Sequence, residues 1–144
     1  MIRRFGTAPR PDKRYTMRPG AYVILPRGRQ VLLTHQQDPE PEFQLPGGGI
    51  DAGESPQVAL HREVFEETGW SIAYPRRLGA FRRYTFMPEY DLWAEKICTI
   101  YLAHPVRRHS DPLEPGHSAH WLPIEEAVTL LGNPGDRHFL AKLL

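Results

Sequence analysis

Arg62, Glu63, Glu66 and Glu67 lie in one short run, Arg62-Glu63-Val64-Phe65-Glu66-Glu67-Thr68-Gly69-Trp70. Spacings of three and four put the three glutamates on one face of a helix. Like charges so placed repel and destabilise an isolated helix by roughly 0.2–0.5 kcal/mol per pair, so the pattern calls for a counter-charge. A divalent cation held by oxygen ligands supplies one. The chemistry this suggests is metal-assisted hydrolysis, with the run and the glycines before it as the active site.

Those glycines argue against direct phosphate binding. Gly48-Gly49-Ile50-Asp51-Ala52-Gly53-Glu54-Ser55 has the spacing of a phosphate-binding loop, but Glu54 stands where such a loop needs lysine. The charge at the phosphate contact is therefore reversed. A dinucleotide fingerprint fails as well, because Gly-x-Gly-x-x-Gly is absent. A cation first, and phosphates through it, is the order the residues favour.

From Gly48 through Glu54 to Arg62–Trp70 the chain resembles the Nudix box without a gap: glycine, five residues, glutamate, seven residues, then Arg-Glu-apolar-any-Glu-Glu-any-Gly-apolar. The resemblance extends over about Arg18 to Leu144. It implies an α/β fold, a Nudix-like α/β/α sandwich around a mixed sheet, and hydrolysis of a nucleoside diphosphate linked to another group with Mg2+ or Mn2+. By position it implies Glu63, Glu66 and Glu67 as metal ligands, joined by the main-chain carbonyl of Gly48. Arg62 would orient the glutamates, and Glu54 would hold Arg62. The base for the attacking water would be Glu63, Glu67 or an acid outside the box. Glu114 is the first candidate for that outside acid, because it precedes Trp121 by the distance expected of mutator-type members; Glu95 is the second. Gly49 and Arg83 are the candidate substrate contacts, Arg83 because its planar guanidinium lies among aromatics where it can stack on a base. The rival reading is a catalytically silent Nudix-fold module that senses nucleotides or binds a partner. No subgroup signature is complete, so the particular nucleotide stays open.

Elements to position these groups are visible on both sides. Ser55 supplies an N-cap oxygen and Pro56 suits the first helical position. Val58, Ala59, Leu60, Val64 and Phe65 supply an apolar face, with the carboxylates expected on the opposite one. Gly69 ends the helix. Ala21–Leu25 and Gln30–His35 read as a hairpin about the turn Arg27-Gly28-Arg29. Strands are expected at Ser71–Ala73, Arg77–Phe86, Lys96–Ala103 and Ala119–Leu122, and helices at Pro123–Leu131 and Asp136–Leu144. In the second strand, Leu78, Ala80, Tyr84 and Phe86 share one face by alternation.

At 144 residues the chain suits a basic N-terminal arm, residues 1–17, and a single domain, residues 18–144. The arm, with Arg3, Arg4, Arg10, Lys13 and Arg14, reads as irregular or extended. A formal net charge of +1 gives no reason to invoke nucleic acid, and no stretch suggests a signal or a membrane span. A lone cysteine, Cys98, in an apolar run fits a core thiol and a cytoplasmic setting. His117 and His120 have a spacing that can serve a metal, but no further ligands complete a zinc set. The expected partner is a small-molecule nucleotide, with the protein a monomer or a homodimer.

Overall fold

In the computed structural model, which describes residues 2–144, the β-branched and aromatic runs form two sheets. The strands are β1 (Arg3–Arg4), β2 (Thr16–Ile24), β3 (Pro26–Arg27), β4 (Gln30–Gln36), β5 (Glu42–Gln44), β6 (Gly47–Gly49), β7 (Trp70–Met87), β8 (Leu92–Arg108) and β9 (His117–Pro123). The helices are α1 (Pro56–Thr68), α2 (Ile124–Leu130) and α3 (Pro134–Ala141). One sheet has the order β1-β7-β8-β2-β6 and mixes parallel pairs, β1 with β7 and β2 with β8, with antiparallel ones. In the other, β4 is flanked by β3, β5 and β9.

Central β2 explains the layering. Ala21 and Val23 face one way and pack with Leu60 and Val64 of α1. Tyr22 and Ile24 face the other and pack with Phe81, Ile100, Ala127 of α2, and Phe139 and Leu140 of α3. A strand covered on both faces must be apolar on both, which is why Ala21–Leu25 reads as a continuous run. The result is an α/β sandwich with α1 on one side of a mixed sheet and α2 and α3 on the other.

Several local expectations change. The hairpin survives where Pro26 and Arg27 pair with Val31 and Gln30, extended by the Leu32 N–H donating to the Leu25 carbonyl at 3.1 Å. β2 itself belongs to the other sheet, because the chain changes sheets at Leu25. The three short strands expected between residues 71 and 103 are two long ones, β7 and β8, joined through the tight turn Pro88–Tyr90. Irregularities in β7 at 71/72, 73/76 and 77/79 break its period of two. Leu78 and Phe81 therefore pack on the same cluster although odd spacing would separate them, and Phe86 is exposed. The arm lies against the sheet: β1 pairs with Phe81 and Arg82, and Phe5 packs edge-on against Phe81 at 5.7 Å. Thr16 and Met17 already belong to β2.

Candidate active site

α1 begins and ends as its residues dictate. Ser55 Oγ accepts the Val58 N–H at 3.1 Å, and Pro56 follows at the first position. Gly69 takes φ +77° and donates to the Phe65 carbonyl at 2.8 Å. A side chain at Gly69 would also collide with the Ser110 carbonyl, so both backbone shape and close approach require glycine there. The faces differ from expectation. Glu67 is not opposite the apolar stripe but on it, one further step along from Leu60 and Val64, and only 6% exposed. Val58, expected inside, is exposed.

β6 runs beside this helix, and Gly48 brings its backbone against Glu63. A Cβ there would lie 2.5 Å from the Glu63 carboxylate. The Gly47 N–H donates to Glu67 Oε1 at 2.9 Å, tying strand to helix at the buried acid. Burial pushes the Glu67 carboxyl well above its usual range, with Glu63, Glu114 and Glu66 adding repulsion against the pull of the Gly47 bond. Burial also raises Glu63, opposed by Arg62.

Arg62 is the hub that holds the glutamates. Its Nε and Nη2 donate to the two Glu54 oxygens at 2.7 and 2.9 Å, Nη1 to Glu63 at 3.0 Å and Glu66 at 3.3 Å, and Nη2 also to the Gly49 carbonyl at 3.2 Å. That fork, with the Asp51 N–H, holds the Glu54 carboxyl down at about 2.

The loop before β9 delivers Glu114. The Leu113 and Glu114 N–H groups both donate to the Glu66 carbonyl, at 2.8 and 3.1 Å, so the loop is anchored on the end of α1. Glu114 then lies within reach of a common ion with Glu63 and Glu66, and of another with Glu67 and His117. This oxygen-rich set, crowded and partly dehydrated, has the chemistry of a site for a hard divalent cation.

Other candidates lie elsewhere. Glu95 pairs with Arg82 at 3.0 Å and accepts from the Tyr84 hydroxyl at 3.2 Å, outside the cluster. Arg83 lines a cleft of about 650 Å³ with Tyr15, Tyr84, Trp93 and Pro134, and the glutamates form no part of its wall. His117 and His120 do not converge, since odd spacing on a strand sends them to opposite faces. His120 Nε2 lies 2.8 Å from Ser118 Oγ, whereas His117 Nε2 faces Glu67. Sequence reading missed Asp136, buried at the start of α3 and accepting the Leu45 N–H at 3.4 Å. An acid just inside a helix start looks like ordinary dipole compensation, so only its burial marks it out.

A sandwich of this kind, with a glycine strand and a glutamate helix sharing one acidic site, defines the Nudix class. The NUDIX domain model matches residues 16–143, and the chain belongs to that family. It is 41% identical over 75 residues to a putative 8-oxo-dGTP diphosphatase of Bacillus subtilis, covering 51% of this chain and 50% of that one. To an 8-oxo-(d)GTP phosphatase of Mycolicibacterium smegmatis it is 32% identical over 104 residues, 72% of this chain and 30% of that one. The chain thus spans half or less of the length of these curated relatives. Among solved structures it is similar to the MutT protein of Bacillus halodurans, with a TM-score of 0.71, 25% identity, and coverage of 86% of this chain and 80% of that one. Among the described residues, no helix is long and apolar enough to cross a membrane.

Proposed function

We propose that the chain is a metal-dependent hydrolase that cleaves a pyrophosphate bond in a nucleoside diphosphate linked to another moiety, using Mg2+ or Mn2+. The observation that carries this is the convergence of Glu63, Glu66 and Glu114, with Glu67 beside them, around an arginine that already neutralises part of their charge. Glu63, Glu66, Glu67 and the Gly48 carbonyl would hold the ion. When bound, it neutralises the phosphates and lowers the pKa of bound water.

The chain's own residues do the rest. Arg62 keeps Glu63 and Glu66 from swinging apart, and Glu54 keeps Arg62 from the substrate phosphates. The Gly47 N–H fixes one Glu67 oxygen and leaves the other facing the site. Glu67 or Glu114 takes the proton from the attacking water. Gly49, beside the Arg62 fork, contacts the substrate. The activities named for the relatives make oxidised purine triphosphates a first choice within the class. The protein acts as a monomer or homodimer in the cytoplasm, where its one buried thiol stays reduced.

The test is a panel of nucleoside triphosphates, including 8-oxo-dGTP, with ADP-ribose, dinucleoside polyphosphates and capped RNA, assayed with each metal. Metal-dependent release of a nucleotide and a fall in kcat of about 10³-fold in Glu67→Gln are expected. Glu114→Gln, assayed alongside, shows which acid serves as base: a large kcat loss with metal affinity retained identifies it. Nucleotide binding without turnover across the panel would sink the enzyme reading in favour of a silent sensor.

A further inference from the structure

We infer that His117 is a nitrogen ligand of the divalent-cation site, so that the site joins an imidazole to its carboxylates and favours Mn2+-like ions over Mg2+. The inference rests on the reading of the glutamate cluster as a metal site and assigns it a ligand outside the box.

Position comes first. His117 opens β9 opposite Gln36 of β4, and alternation sends its side chain the same way as Ala119 and Trp121, which pack on the α1 side of the sheet. The ring is largely covered, with its side chain 15% exposed. Its loop is held at three points besides the anchors on Glu66: the His117 N–H donates to the Glu114 carbonyl at 3.3 Å, and the Gly116 carbonyl accepts from Gln37 at 3.1 Å, while Nδ1 lies 3.4 Å from the Pro115 carbonyl. That carbonyl can only accept, so in the neutral ring it favours the proton on Nδ1, with the Nε2 lone pair toward the carboxylates. A histidine whose other nitrogen is bound to a backbone carbonyl is the usual form of a metal-ligating one.

The spacing of the donors suits a shared ion. Nε2 lies 3.6 Å from Glu67 Oε2, and one ligand atom each from Glu67, Glu114 and His117 lies within 4.8 Å of the other two. The first distance is too long for a hydrogen bond. Two donors each about 2.1 Å from a common ion, at about 90–120° to one another, lie roughly 3.0–3.6 Å apart. Imidazole suits manganese and later transition ions better than magnesium, which takes oxygen ligands.

The test uses the full chain with Mn2+ alone, read by titration calorimetry and by pulsed electron paramagnetic resonance for coupling to imidazole nitrogen. Wild-type protein should show that coupling. His117→Gln should lose it and bind Mn2+ about tenfold or more weakly, with a much smaller change for Mg2+. Retained Mg2+ binding in that variant reports an intact site, and His120→Gln should keep the coupling. Tight Mn2+ binding by wild type without nitrogen coupling, or coupling that survives in His117→Gln, would overturn the inference and leave the hydrolase reading standing. Absence of Mn2+ and Mg2+ binding by the wild type would overturn both.

Discussion

Arg62 binds oxygens of Glu54, Glu63, Glu66 and Gly49 at once, which a planar five-donor guanidinium can do and a compact ammonium cannot. Lysine at this position would keep the charge and lose the fork. Arg62→Lys should therefore lower kcat about tenfold or more while KM changes less, as expected when a positioning contact rather than uniform binding is lost. The same variant should release Glu54, whose carboxyl is held at about 2 chiefly by hydrogen bonds from Arg62. Carbon-detected titration of the Glu54 carboxyl reads this directly. A midpoint in Arg62→Lys that stays near the wild-type value would mean that the fork does not set the charge of the site.

At the scale of elements, α3 is docked through Asp136, which reaches across to the Leu45 N–H just ahead of the glycine strand. Burial raises this carboxyl from 3.8 to about 7, with Leu45, Lys96 and Arg83 pulling it down. The unfolded chain releases the proton near 3.8 while the folded one keeps it to about 7. The folded state then binds more protons in that window, so this group's stabilisation is full below the lower value and is lost as pH rises through the higher one. The full swing is at most about 4 kcal/mol. Asp136→Asn keeps an acceptor for Leu45 and removes the titration, so urea unfolding should show the variant gaining on wild type between pH 4 and pH 7. Parallel pH profiles for the two proteins would refute this account of the buried acid. Asp136 also shows what a sequence can reveal about a site. The box was readable because its partners lie three, four or eight residues apart and a helix fixes their geometry. The helix start at Ser55 and stop at Gly69 were readable for the same local reason. The burial of Glu67 and Asp136 depends on strands far along the chain, and the irregularities in β7 erase the alternation that would have shown which face is inside. His117 was ambiguous because spacing alone paired it with His120, and only the strand geometry separates them.

Taken whole, the molecule closes its mixed sheet with the segment that looked least structured. Arg3 and Arg4 pair with Phe81 and Arg82, the Phe5 N–H donates to the Arg82 carbonyl at 2.9 Å, and Tyr15 packs edge-on against Tyr84 at 4.9 Å. The charges of this arm belong partly to cations over rings, with the Arg3 guanidinium 4.5 Å from the Phe5 centroid. Edge strands left open invite association, and β1 covers a part of β7 that faces α3, since Phe5 also lies 5.0 Å from His138. The docking is thus a matter of packing rather than net charge, and Phe5 is the side chain that tests it. Phe5→Ala should destabilise the fold by about 2 kcal/mol through lost apolar burial, a fall in Tm of about 4–8 °C for a chain of this size. Because Phe5 sits on the α3 side and the glutamates on the α1 side, kcat measured well below the new Tm should be unchanged. An unaltered Tm in thermal unfolding would mean that the arm is not held, and a lowered kcat would mean that the two faces of the sheet are coupled.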